Sequence, residues 1–91
     1  MEKHFVYLLE SEKDKKFYIG QTNNIFERLK RHNQGMVIST KRRKPFRLLG
    51  YEEFYSRKEA LQFEKRLKTH SDQKLNFIKK FKIDFKWNLP D

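Results

Sequence analysis

The chain opens on a continuous apolar run, Phe5-Val6-Tyr7-Leu8-Leu9, without the polar alternation of a half-exposed strand. A short run of this kind predicts a strand buried on both faces. The polar residues from Glu10 to Lys16 predict a turn, and Phe17-Tyr18-Ile19-Gly20 predicts a second strand. The two should form an antiparallel hairpin with a longish loop. Asn24, with Glu27 three residues on, is a capping box that starts a helix. Ile25, Phe26 and Leu29 supply its apolar stripe, and Gly35 suits its end. After a basic loop and Pro45, Phe46 to Tyr55 predicts a third strand, with Gly50 as a candidate bulge. Ser56-Arg57-Lys58-Glu59 is a cleaner capping box, and its helix carries Ala60, Phe63 and Leu67 on one face. Ser71 or Asp72 is expected to cap a third helix bearing Leu75, Ile78 and Phe81. From Phe81 to Leu89 apolar and polar residues alternate strictly, so one face of an extended segment should be buried, as a docked tail or an added edge strand. The order β-β-α-β-α-α predicts an α+β domain, a small antiparallel sheet covered by helices. Residues 1–81 would form the domain and 82–91 a tail docked on it.

Composition narrows this further. A chain of 91 residues is one domain with a small core, which excludes a two-domain enzyme, a doubly wound nucleotide fold and a barrel. Charged residues (37%) match hydrophobic ones (36%), a balance that hints at disorder, but the 15% aromatic content argues for a packed core. The absence of cysteine excludes a disulfide framework and a zinc knuckle. The first residues do not read as a signal peptide, and no apolar run approaches the ~18 residues of a membrane span. The expectation is a soluble, cytoplasmic protein with no membrane partner.

The net charge is +10 and the pI near 9.9. Half of the excess lies in residues 36–50, centred on Lys41-Arg42-Arg43-Lys44 with Arg47 close behind. A solvated loop explains that run as well as polyanion contact does. With the global charge added, polyanions become the leading partner class, and these five residues are the candidates to hold a nucleic-acid backbone.

Candidate chemistry is sparse. Tyr7 and Tyr18 sit on neighbouring strands, where a buried tyrosine is ordinarily core with its hydroxyl satisfied. Arg28 and His32 are i, i+4 on one helix and share a face. Glu64 lies beside the stripe of the second helix, where a solvated carboxylate or a pair with Lys68 is the plain alternative. Asn76 is equally ambiguous. His4, His32 and His70 lack zinc-ligand spacing, and there is no Gly-rich phosphate loop.

The order of these features is more specific than any one of them. Phe5-Val6-Tyr7, Tyr18-Ile19-Gly20-Gln21-Thr22, the helix Asn24 to His32, and Glu64 within Ala60 to Lys68 together resemble the GIY-YIG endonuclease superfamily, most of all its compact stand-alone bacterial members. The resemblance spans roughly residues 4–81; Phe5-Val6 replaces Gly-Ile in the first motif, while the tyrosine is kept. It implies a three-stranded antiparallel sheet with flanking helices. It also implies Tyr7 as general base or water-positioning group, Tyr18 orienting phosphate or water, and Arg28 binding the scissile phosphate. His32 would assist proton transfer or hold Tyr7, and Glu64 would bind one Mg²⁺ or Mn²⁺. Asn76 matches a position where several members carry Asn. The expected activity is metal-dependent hydrolysis of DNA, with RNA left open, structure-directed and serving repair or recombination. At this size specificity could instead come from a partner protein. The alternatives are an inactive or partner-dependent nucleic-acid-binding module, and a basic RNA- or ribosome-binding protein that leaves Glu64 and the Arg28/His32 pair unexplained. Convergence of Tyr7, Tyr18, Arg28, His32 and Glu64 on one surface is the discriminating observation.

Overall fold

The structure, a computed structural model, describes residues 2–82. The tail reading over 82–91 lies outside the described residues apart from Lys82. Three strands, β1 (His4–Ser11), β2 (Phe17–Thr22) and β3 (Phe46–Phe54), form one antiparallel sheet in the order β2-β1-β3. Helix α1 (Ile25–Asn33) follows β2, and α2 (Arg57–Thr69) and α3 (Ser71–Phe81) follow β3.

Because β1 is central, both of its faces are covered, which is why its sequence lacks alternation. Val6 and Leu8 face one way, into a cluster with Ile19, Ala60 and Leu67 of α2, and Phe77 and Ile78 of α3. Tyr7 and Leu9 face the other way, against Phe46, Tyr18, Leu48 and Leu29 of α1. The sheet is thus the middle of three layers. The aromatic content works mainly on the first side, where Phe54, Phe63, Phe77 and Phe81 stack in series with ring centroids 5.2–5.6 Å apart.

Both predicted helix starts form, with Asn24 and Ser56 as the N-caps. Asn24 accepts a hydrogen bond from the Glu27 N–H at 3.1 Å, and Ser56 from the Glu59 N–H at 3.4 Å. The predicted bulge also forms: Leu8 pairs with Gly50 and Leu9 with Leu48, leaving Leu49 extra. Gly50 there leaves the room that the Phe81 ring occupies.

Three expectations are corrected. Neither Ser71 nor Asp72 caps α3; Ser71 is already helical, and His70 precedes it without a side-chain cap bond. Phe26 is not part of the buried stripe but is 83% exposed, because Ile25, Leu29 and His32 take the inward face and Phe26 stands about 100° away. The segment Lys41–Arg43 is one turn of 3₁₀ helix, not an irregular loop.

Candidate active site

The site is built around the Tyr7 hydroxyl. Tyr7 is 2% exposed and pairs across the sheet with Gly20 of β2. A β-carbon at position 20 would collide with the Tyr7 hydroxyl, so glycine there lets the ring lie across β2 toward the edge of the sheet. Arg28 Nε, on the flank of α1, donates to the Tyr7 oxygen at 3.4 Å, and His32 Nε2 lies 2.9 Å from it. His32 is itself fully buried, and its Nδ1 lies 2.8 Å from Thr40 Oγ1. The Thr40 hydroxyl in turn reaches the Val37 carbonyl at 3.4 Å.

These contacts assign the proton order. The Thr40 hydroxyl donates to the Val37 carbonyl, which leaves its oxygen to accept from His32 Nδ1. His32 therefore carries its proton on Nδ1, its bare Nε2 accepts the Tyr7 proton, and the Tyr7 oxygen accepts from Arg28 Nε. Burial holds His32 down to about 4, with the nearby Arg28 charge adding to the effect, so the ring is neutral at pH 7. Burial also pushes Tyr7 up to about 12, opposed in part by the Arg28 hydrogen bond and reinforced by Tyr18 and Glu64. The hydrogen bond to Tyr7 raises Arg28 in turn.

The remaining members arrive from β2 and α2. Tyr18 shares the Tyr7 face, its ring 6.3 Å from that of Tyr7 and 5.0 Å from that of His32, and it interacts with Arg28 as well. Helix α2 packs on the opposite layer, but β2 is an edge strand, and the last turns of α2 overhang it: Lys68 Nζ stands 5.8 Å over the Tyr18 ring. Glu64, one turn earlier, bonds Lys68 at 3.0 Å and acts electrostatically on Tyr7. The structure therefore brings Tyr7, Tyr18, Arg28, His32 and Glu64 to one edge of the sheet. Glu64 also makes the plain i, i+4 pair, so the two readings of that residue coexist.

Asn76 is not brought there; it is exposed on α3 and bonds none of the five. The basic segment is divided. Lys41, Arg42 and Lys44 are exposed. Two of the predicted backbone-holding residues, Arg43 and Arg47, also pair with the protein's own carboxylates. Arg43 bonds Asp14 at 2.7 Å and lies 5.5 Å over the Phe46 ring. Arg47 bonds Glu10 at 2.6 Å, its register partner across β1 and β3. Glu10 is 5% exposed; burial alone would raise its pKa, but Lys82 and Arg47 overturn that and hold the carboxyl below its ordinary value. A buried carboxylate needs such partners.

Two contributors were missed by the sequence reading. Thr40 fixes the His32 tautomer from a loop whose sequence, Met36 to Thr40, has no motif. Asn33 clamps the end of α1 to β3, donating to the Phe46 carbonyl at 3.1 Å and accepting from its N–H at 2.6 Å. This sets Phe46 against the His32 ring at 5.7 Å.

Among the described residues no three His, Asp or Glu side chains cluster as a ready-made metal centre. Glu64 offers one hard carboxylate at the same sheet edge, close enough to act electrostatically on Tyr7. That donor fits a cation such as Mg²⁺ or Mn²⁺, which completes its shell with water and substrate oxygens, and does not fit zinc.

A three-layer α/β/α domain with a tyrosine, arginine, histidine and glutamate at one sheet edge has a counterpart among known families. Residues 3–76 match the family model of the GIY-YIG catalytic domain. The chain belongs to the GIY-YIG family. It is 41% identical over 80 residues to a UPF0213 protein of Staphylococcus haemolyticus, covering 86% of this chain and 96% of that one. It is 40% identical over 68 residues to a UPF0213 protein of Oceanobacillus iheyensis, covering 74% and 78%. The solution NMR structure of the UPF0213 protein BH0048 from Bacillus halodurans superposes with a TM-score of 0.51 at 35% identity, over 84% of this chain and 81% of that one. Membership places the chain in a nuclease family that acts on nucleic acid and generally depends on divalent metal. Among the described residues no helix is long and apolar enough to cross a membrane.

Proposed function

We propose that this protein is a metal-dependent endonuclease that hydrolyses phosphodiester bonds in DNA. The observation that carries the reading is the ordered relay from Arg28 through Tyr7 and His32 to Thr40. A tyrosine held near 12 does not begin as a tyrosinate, so it cannot act as a free base at neutral pH. Its oxygen, however, has two lone pairs, and Arg28 uses one. The second accepts a hydrogen bond from the attacking water. As the water's proton passes to Tyr7 Oη, the tyrosine's own proton passes to His32 Nε2.

A proton on His32 is costly beside Arg28 in the free protein. Phosphate charge arriving at Arg28 lowers that cost, which ties proton transfer to bound substrate. Arg28 binds the phosphoryl oxygens, where charge builds in the transition state, and Tyr18 orients the phosphate. Glu64 would hold the divalent cation, which when bound supplies Lewis-acid stabilisation of phosphoryl charge.

Cleavage of plasmid and branched DNA in Mg²⁺ or Mn²⁺ tests the proposal. Wild type should cut, and Glu64→Gln should lose at least about 100-fold in rate while still binding DNA. Wild type that binds but cuts no DNA or RNA would leave a binding module on this fold. Equal residual cutting by both proteins would mean a contaminating nuclease.

A further inference from the structure

A second concentration of cations lies away from Tyr7. Where the β1–β2 turn meets the start of α3, a cleft of about 510 Å³ is lined by Lys15, Lys16, Arg43, Ser71 and Lys74, with Phe17 at its side. Arg43 is neutralised by Asp14, but the ammonium groups of Lys15, Lys16 and Lys74 have no partner among the described residues. Three cations sharing a concave surface repel one another more than the same charges spread over a convex one, and a bound polyanion relieves that repulsion.

The local backbone holds them there. The Ser11 hydroxyl accepts from the Lys13 and Asp14 N–H groups, and Lys15, with φ of 61°, donates its N–H to the Ser11 carbonyl. From the other side α3 begins at Ser71 with no side-chain cap, so its positive end adds to the same potential. Phe17 packs with the α2/α3 cluster while its neighbour Tyr18 packs with Tyr7. The cleft and the Tyr7 network therefore lie on opposite faces of one edge strand.

We infer that this cleft is a second nucleic-acid site, which takes sugar–phosphate backbone on the far side of β2 from the Tyr7–Arg28 network. The inference rests on the nucleic-acid reading above. A duplex engaged at both sites must curve around the β2 edge, or two separate segments must be held.

Binding of a labelled duplex in chelator, where nothing is cut, tests it. The triple variant Lys15→Gln, Lys16→Gln, Lys74→Gln should weaken binding about tenfold or more at low salt. It should also flatten the log–log salt slope by roughly 2–3, at about 0.9 per lost phosphate contact. Its loss should add to that of Arg28→Ala, as expected of separate contacts, and the corresponding triple arginine variant should restore the slope. With metal, the glutamine variant should raise KM and leave kcat unchanged. A triple variant with unaltered melting and an unaltered slope overturns the site. If inorganic phosphate saturably shifts the NMR signals of Lys15, Lys16 and Lys74 while duplex does not, the occupant is a small phosphate compound and the backbone assignment fails. Absence of cutting by wild type would instead count against the catalytic reading and leave these binding slopes untouched.

Discussion

His32 occupies a core position on α1, where a tyrosine hydroxyl and a threonine hydroxyl satisfy its two nitrogens. Burial depresses its basicity, with the Arg28 charge adding to the effect. The unfolded chain binds a proton at this ring near the ordinary value of 6.5, whereas the folded chain binds one only near 4. Between those values the unfolded state holds more protons, so folding stability falls as pH is lowered through that window, by about 3 kcal/mol if nothing compensates. Ring-nitrogen NMR should show His32 neutral at pH 5.5, while His32→Gln should lose most of the pH sensitivity of unfolding. A ring titrating near 6.5 would dismantle the proton order assigned to Tyr7.

At the scale of elements, the site depends on how β2, α1 and α2 meet. The Tyr7 ring needs the space above Gly20, and α1 can bring Arg28 and His32 to the same oxygen only because Ile25 and Leu29 seat the helix on the sheet. Gly20→Ala would place a methyl group where the Tyr7 hydroxyl now lies. We expect a stability loss of about 1–3 kcal/mol from overpacking, and a loss of cleavage much larger than that of a core variant of equal stability. The comparison can be made with Leu67→Val, which lies in the α2/α3 cluster away from Tyr7. Equal losses of activity in the two variants would show that Gly20 matters only for folding.

Across the whole molecule, charge separates into structural and free populations. Arg47 lies in the most basic stretch of the sequence, yet it belongs with Glu10, the nearly buried carboxylate that Lys82 also holds at 2.8 Å. Arg47→Ala should lower unfolding stability by about 1–2 kcal/mol, since one charge-assisted pair of hydrogen bonds is lost while Lys82 remains. It should leave the salt slope of DNA binding nearly unchanged. A slope that falls by about 0.9 would return Arg47 to the phosphate-binding group.

How much of this was legible in the sequence follows from the range of the interactions concerned. Order and type of the elements were set by local signals: the uninterrupted apolar run of β1, the caps at Asn24 and Ser56, and the glycine at the β3 bulge act within a few residues and were readable directly. The spacing of Arg28 and His32 followed from helix geometry, and the net charge of +10 from simple counting. Which cations are free was not readable, because Asp14 reaches Arg43 across 29 positions and Glu10 reaches Arg47 across 37. Thr40 was missed for the same reason, since its role exists only once the loop after α1 folds back on His32. The orientation of Phe26 was a choice among three apolar residues on one helix turn, which packing against the sheet alone could make. Sequence fixes what each residue can do within a turn or a strand. The sheet's edge, where a β1 hydroxyl meets an α1 guanidinium within electrostatic reach of an α2 carboxylate, exists only after non-local burial has oriented the three layers.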